Sequence, residues 1–370
     1  VYISRFKMLG DSIDVLEFNK KLKTWYLRNH RKLPWRETND PYKIWLSEII
    51  LQQTRVAQGT PYYERFVTAY PTVEALAGAD EKDVLRLWQG LGYYSRARNM
   101  HFTARQIVAE FDARFPATAV KLEKLKGLGA YTAAAIASFA FNEVVPAIDG
   151  NVYRVMARIF GIYSDILSPA GKKEFLDIAR QLISTSDPAT YNQAMIEFGA
   201  IQCVPVSPDC EVCPFNTVCY AYLHKVQAAL PVKAKKVAVK NRYLHYFILE
   251  DQGRLALKER TGKDIWKGLY DFPGIETASA DVSPEDLMQD NILGKVLEKG
   301  VLKEIVKPYI HILTHQRLNV KFWWVSLRPG LHPGVSEELS DNLSFYAPEE
   351  VETLPKPILI DNVLRDERYL

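Results

Sequence analysis

Three groups of residues in this 370-residue chain have side chains suited to chemistry. The first is a pair of acids far apart in sequence. Glu48 lies among Leu46, Ile49 and Ile50 in LSEIILQQTRV. There it either faces solvent or is partly buried, and burial would raise its pKa and favour the neutral acid. Asp149 stands in AIDGN, followed by Gly150 and Asn151 and then by a helical pattern. The second group comprises all four cysteines, Cys203, Cys210, Cys213 and Cys219, with six, two and five residues between them. Clustered in a loop with Pro205, Pro208 and Pro214, they point to one tetrathiolate site, for which structural zinc is one occupant. The third is the turn Gly127-Leu128-Gly129, which opens an alanine-rich helical segment. Unpaired N–H groups at such a helix start suit a phosphate, though the same turn serves equally as a plain helix N-terminus.

Helical periodicity supplies the elements that must hold these groups. Residues 17–30 place Phe18, Leu22, Trp25 and Tyr26 on one face. Asp40 is set to cap a helix that begins at Pro41 and buries Tyr42, Trp45, Ile49 and Ile50. After it, Gln52, Gln53, Thr54 and Arg55 bring two amides, a hydroxyl and a guanidinium to a helix end, a set suited to base edges and phosphates. Further helical patterns run to Gly127, broken by Pro71, Gly90, Gly92 and Pro116. In GLGYYSRARN, Tyr93 and Tyr94 beside Arg96 and Arg98 offer stacking with phosphate contacts, or form a packed turn. Residues 150–162, 170–183 and 187–203 again read as helices, the last with Asn192, Gln193 and Glu197.

Composition is that of a soluble globular chain, 48% hydrophobic and 25% charged. No run of eighteen apolar residues and no signal-peptide core is present, so the expectation is an intracellular protein, cytoplasmic or nucleoid-associated in a bacterium, with no membrane role. Residues 1–230 hold 27 Lys+Arg against 23 Asp+Glu, and residues 243–370 hold 15 against 21. Between them PVKAKKVAVKNR, Pro231–Arg242, carries five positive charges and no negative ones and reads as an exposed linker.

Over residues 17–219, four features coincide: LSEIILQQTRV, GLGYYSR, LKGLGAYT with a downstream DGNV, and the cysteine loop. Together they closely resemble the MutY family of adenine DNA glycosylases, of the helix-hairpin-helix, endonuclease III-like superfamily. That resemblance implies a monofunctional enzyme of base excision repair, the alternatives being an endonuclease III-like glycosylase acting on oxidised pyrimidines and a non-enzymatic iron–sulfur DNA-binding protein. The monofunctional enzyme would flip adenine out of double-stranded DNA, where the base lies opposite 8-oxoguanine or guanine, and hydrolyse the N-glycosidic bond. It assigns Glu48 as the general acid at adenine N7 and Asp149 as the anion that stabilises, or transiently bonds to, the cationic sugar. Tyr131 stands where bifunctional relatives carry a Schiff-base lysine, so strand cleavage is not expected. Asn151 joins the catalytic network, and Trp35, Arg36 and Gln193 belong near the adenine pocket. Gln53 and Tyr93 enter the duplex, Thr54 and Arg55 contact the opposite strand, and Gly127 and Gly129 grip phosphate. The cysteine spacing resembles that of endonuclease III-type relatives and implies a 4Fe-4S cluster on Cys203, Cys210, Cys213 and Cys219. A monomer is expected.

From Tyr243 the pattern turns to strands: RYLHYFILED, GRLALKER after Gln252-Gly253, and VKFWWVSL. WKGLYDFPGIE and a helical segment over 285–300 resemble the Nudix-like domain at the C-terminus of the same family, without the glutamate-rich catalytic box. Leu313, Thr314 and His315 align with the loop that reads 8-oxoguanine there, Leu313 replacing an aromatic residue. The expected molecule is therefore multidomain. An all-α helix-hairpin-helix DNA glycosylase domain over 1–224 contains the iron–sulfur loop, a linker covers 225–242, and an α+β Nudix-like 8-oxoguanine-recognition domain covers 243–370.

Overall fold

The computed structural model describes residues 5–7, 12–234, 239–279, 282, 294, 300–304, 307–313, 315–328 and 343–370. Thr314 and nearly all of the helix expected over 285–300 lie outside them. The chain divides into two compact units, Val1–Gly78 with Phe102–Lys235 and Ala79–His101 with Lys236–Leu370.

A short ladder of β1 (Arg5–Lys7) and β2 (Ser12–Asp14) precedes the helices. These are α1 (Val15–Asn29), α2 (Pro41–Ile50), α3 (Val56–Ala69), α4 (Val73–Ala77), α5 (Glu81–Trp88), α6 (Ser95–Phe111), α7 (Ala119–Leu122), α8 (Ala130–Phe141), α9 (Gly150–Phe160), α10 (Pro169–Leu182), α11 (Pro188–Glu197) and α12 (Tyr220–Leu223). Their starts follow the local chemistry. Asp40 caps α2 by accepting from the Tyr42 N–H, with Pro41 at the first position. Ser168 and Asp187 cap α10 and α11 in the same manner. In the first unit Phe18, Leu22, Trp25 and Tyr26 of α1 pack with Val155, Phe160, Phe175 and Phe198. Into this core the cysteine loop inserts Phe215, whose ring stacks on Phe18 with centroids 4.8 Å apart. Burying such a ring stabilises by roughly 1.5–3 kcal/mol, enough to anchor a loop with little regular structure.

The second unit is a mixed sheet. Strands β3 (Lys240–Asp251) and β4 (Arg254–Glu259) form a hairpin through Gln252 and Gly253, both at positive φ, the backbone that a two-residue turn of this twist requires. Strands β5 (Tyr270–Asp271), β6 (Gly274–Thr277), β7 (Gly300–Glu304), β8 (Tyr309–Ile312), β9 (Gln316–Leu327) and β10 (Leu343–Tyr346) complete it. The order along its main path is β10-β4-β3-β9-β7. Strand β9 runs parallel to β3, from Lys240↔Gln316 to Glu250↔Ser326. One face buries Phe247, Leu249, Trp323 and Val325, and helices Pro348–Thr353 and Ile358–Asp366 close the chain. The helical first part and the α+β second part agree with the fold class read from the sequence.

Candidate active site

A cleft of about 870 Å³ in the first unit gathers residues from α2 and the turn after it, from α8, from the start of α9 and from α11. Helix α2 turns Tyr42, Trp45, Ile49 and Ile50 into the core. Residues at i, i+4, i+7 and i+8 from Ile44, namely Glu48, Leu51 and Gln52, therefore share the other side, and all four line the cleft. Glu48 is half-buried there. Loss of hydration raises its pKa to about 7, and Asp149 adds to the shift. The Tyr131 hydroxyl, which hydrogen-bonds the carboxyl group, and the Arg36 charge oppose it. At neutral pH Glu48 thus holds its proton in a substantial fraction of molecules. Tyr131 is itself driven well above its ordinary range by burial and by the two acids, so it remains a hydrogen-bond donor.

Asp149 caps α9. Its Oδ1 accepts from the backbone N–H groups of Asn151 at 2.9 Å and Val152 at 2.8 Å, and its Oδ2 accepts from Asn151 Nδ2 at 2.7 Å. Burial outweighs the other influences and leaves this carboxyl raised above its ordinary value. The Val152 N–H, the Asn151 side chain and N–H, and Arg154 pull the other way. Three N–H donors suit the carboxylate, which accepts hydrogen bonds and cannot donate them. Asn151 is held in turn by Arg154 Nη2 at 2.8 Å, and the same nitrogen donates to the Gly199 carbonyl at 2.6 Å. Gly199 sits so close that a Cβ there would lie 2.6 Å from Asn151 Cβ. It occupies the π-helical turn Phe198–Gln202 that continues α11. Turns of this type recur at functional sites, because one extra residue re-aims the helix.

The cleft also holds Trp35, Arg36, Gln53, Thr54, Arg55 and Gln193. Gln193 accepts from the Tyr26 hydroxyl at 2.7 Å. Gln53 adopts a φ of 57°, a backbone that costs a non-glycine residue about 1–3 kcal/mol and that clusters at binding sites. Gly127 and Gly129 stand apart from this cleft. Leu125 and Leu128 are buried, and Gly127, at a φ of 82°, and Gly129 remain exposed ahead of α8. Two residues that the sequence reading passed over or left without a role are Arg31, which lines the cleft, and Glu197, buried behind it. Their signal was a lone acid in the apolar run Met195-Ile196-Glu197-Phe198.

Tyr93, Leu313 and His315 meet in a different place. A cleft of about 1290 Å³ within the second unit is lined by all three, with Arg98, Lys258, Arg260 and Lys263 among the other residues. Tyr93 is 48% exposed and holds a φ of 48°. His315 is exposed and Leu313 is half-buried.

The four cysteines are free thiols in one loop region, Cys219 buried and the others half-buried. Cys203, Cys213 and Cys219 are each raised by desolvation, Cys213 to about 12, and each also feels the charges of neighbouring cysteines. Arg158 Nη1 lies 3.5 Å from Cys203 Sγ, and Gln227 Nε2 lies 3.9 Å from Cys210 Sγ. Among the described residues, no group of three or more His, Cys, Asp or Glu is arranged to hold a metal ion. Nor is any helix among them long and apolar enough to cross a membrane.

Comparison with known proteins gives this arrangement its context. Residues 46–181 match the HhH-GPD superfamily of base excision DNA repair proteins, and residues 245–366 match the NUDIX domain. The adenine DNA glycosylase of Buchnera aphidicola is 34% identical over 261 residues, covering 70% of this chain and 75% of that protein. The adenine DNA glycosylase of Mus musculus is 32% identical over 384 residues, covering 88% and 73%. Among solved structures, a thermostable thymine-DNA glycosylase superposes with a TM-score of 0.52 at 26% identity, over 57% of this chain and 97% of that one. With both matched domains in order and relatives aligned over most of their length, the chain belongs to the adenine DNA glycosylases, DNA N-glycosylases of base excision repair.

Proposed function

We propose that this chain removes adenine from duplex DNA in which it stands opposite 8-oxoguanine or guanine, by hydrolysis and without cutting the strand. The observation that carries the reading is the pair of unlike acids in one cleft: Glu48 raised to about 7 by burial, and Asp149 held by three N–H donors. Adenine leaves poorly as an anion and far better when protonated, and the sugar it leaves behind is cationic. Glu48 gives its proton to N7 of the extruded base. Asp149, fixed by Asn151 and by N–H donors that favour the carboxylate, faces the developing positive charge. Tyr131 orients Glu48 and supplies no amine, so no imine forms with the sugar.

The remaining site residues divide by chemistry. Trp35, Arg36 and Gln193 offer an aromatic face, cationic donors and an amide to the base. Gln53, Thr54 and Arg55, at the end of α2, suit the gap and the strands beside it. Gly127 and Gly129 bring the outward amides of the α8 N-terminus to a phosphate. Tyr93, Leu313 and His315 contact the base opposite the adenine, with Thr314 between the last two. We further propose that Cys203, Cys210, Cys213 and Cys219 hold a 4Fe-4S cluster. Four thiols in one loop, close enough to feel one another, suit an inorganic group bound by thiolates. Such a cluster supplies a fixed, charged anchor for the loop, and the proton transfers belong to the carboxyl groups. The enzyme acts as a monomer inside the cell.

Duplexes containing adenine opposite 8-oxoguanine, adenine opposite guanine, and thymine glycol opposite adenine test this reading when base release and strand breaks are measured before and after alkali. Adenine release from the first two, with breaks after alkali alone, is expected. Release of thymine glycol in place of adenine would overturn the substrate, and breaks without alkali would overturn the hydrolytic route.

A further inference from the structure

Glu197, the last residue of α11, has no exposed surface. Its Oε1 accepts from the Arg31 backbone N–H at 2.9 Å and from Arg31 Nε at 2.8 Å. Its Oε2 accepts from Arg31 Nη2 and Arg36 Nη2, both at 2.7 Å. Arg36 Nη1 also donates to the Arg31 carbonyl at 3.1 Å. One buried carboxylate thus ties α11 to the loop after α1 and to the short turn Pro34–Arg36. Burial opposes its charge, but the hydrogen bonds from both arginines outweigh that and hold its pKa near the value of about 2. It stays an anion wherever the enzyme works.

Glu197 itself does not line the cleft, whereas Arg31 and Arg36 do. Each guanidinium has five N–H bonds, of which the contacts above use two, so both cleft-lining side chains keep donors beyond those given to Glu197 and the Arg31 carbonyl. The charged and titratable groups acting on Glu48 are Tyr131 from α8, Asp149 from the start of α9 and Arg36 from the Pro34–Arg36 turn. Of these, Arg36 is the cation, and its charge is shared with Glu197.

We propose that Glu197 is a positioning residue for base removal: it locks Arg31 and Arg36 into one wall of the cleft and keeps the Arg36 charge from stripping Glu48 of its proton. This rests on the reading of Glu48 as the acid. With Glu197 in place the wall carries two cations and one anion; with glutamine there it carries two cations, and Arg36 has no carboxylate to turn to but Glu48 and Asp149. Glu48 then ionises at lower pH, and the proton needed by the leaving base is absent at the pH where the native enzyme still has it.

Single-turnover adenine release measured from about pH 5.5 to 9 tests the assignment in the full-length protein, with duplex binding and thermal unfolding followed in parallel. In wild type, the rate should fall on the alkaline side. In Glu197→Gln that limb should move down by about one pH unit, a loss of about tenfold above it. Glu197→Asp, which keeps the charge, should leave the limb nearer its wild-type position. A uniform loss at every pH with an unmoved limb would overturn the proposal, since a purely structural role predicts that outcome. Should Glu197→Gln not fold, Arg36→Gln, which leaves Glu197 paired with Arg31, carries the test. There the limb should move up, and an unmoved limb would overturn the proposal. A wild-type profile without any alkaline limb would instead contradict the role of Glu48, and the assignment of Glu197 would fall with it.

Discussion

At the scale of single residues, the proposed division of labour rests on two carboxyl groups with different surroundings. Partial burial raises the pKa of Glu48, and Asp149 is supplied with N–H donors because it caps a helix. Asp149→Asn separates the cap from the charge. Asparagine caps helices as well as aspartate does, so unfolding should change by less than about 1 kcal/mol. Excision should fall by about a hundredfold to a thousandfold, the loss of one electrostatic contact to a developing cation. Unfolding calorimetry and single-turnover release check the two halves, and a parallel loss of stability would show that the cap, not the charge, was removed. Both acids were legible in the sequence, one by its place in an apolar run and one by the turn before a helix. The burial of Glu48 was not. It depends on α8 and the start of α9 closing over α2, contacts about a hundred residues apart that no local pattern encodes. Arg31 and Glu197 were illegible as a pair for the same reason.

At the scale of elements, the sequence reads best where capping or turn chemistry fixes the boundary. Asp40-Pro41 sets the start of α2, and Gln252-Gly253 sets the hairpin of β3 and β4. It reads less well where one backbone must pass close to another. Gly199 looked like one more helical position, yet the contact of Asn151 with the π-helical turn leaves no room for a side chain. Gly199→Ala should cost about 1–3 kcal/mol through overpacking and should lower excision by displacing Asn151 from Asp149. The check is chemical denaturation beside single-turnover release. Unchanged values for both would mean that the turn relaxes at no cost. The cysteine loop shows a similar limit. Its thiols were evident, but its attachment to the core through Phe215, stacked on Phe18 and edge-on to Phe198, was not.

At the scale of the whole molecule, residues 243–370 are acidic by count, yet the large cleft of the second unit is lined by Arg98, Arg242, Lys258, Arg260 and Lys263 against Glu259 and Asp264. Net charge therefore hides a local basic surface. Duplex binding should weaken steeply as salt rises, with the slope reduced by about one when Lys263 is replaced by glutamine, if that side chain meets a phosphate. Titrations at several salt concentrations check this, and an unchanged slope would remove Lys263 from the contact. The grouping of residues Ala79–His101 with the C-terminal sheet had no sequence signal, since α5 and the start of α6 read as ordinary amphipathic helices. The central claim remains that Glu48 delivers the proton. Its most direct test is single-turnover adenine release as a function of pH for wild type and Glu48→Gln, with duplex binding measured alongside. The raised pKa means that the acid form prevails below about pH 7 and is lost above it, so the wild-type rate should decline through that region. Glu48→Gln should bind duplex normally and release almost no adenine at any pH. Adenine release by Glu48→Gln at close to the wild-type rate, or a wild-type rate that climbs as pH rises past 7, would contradict the account.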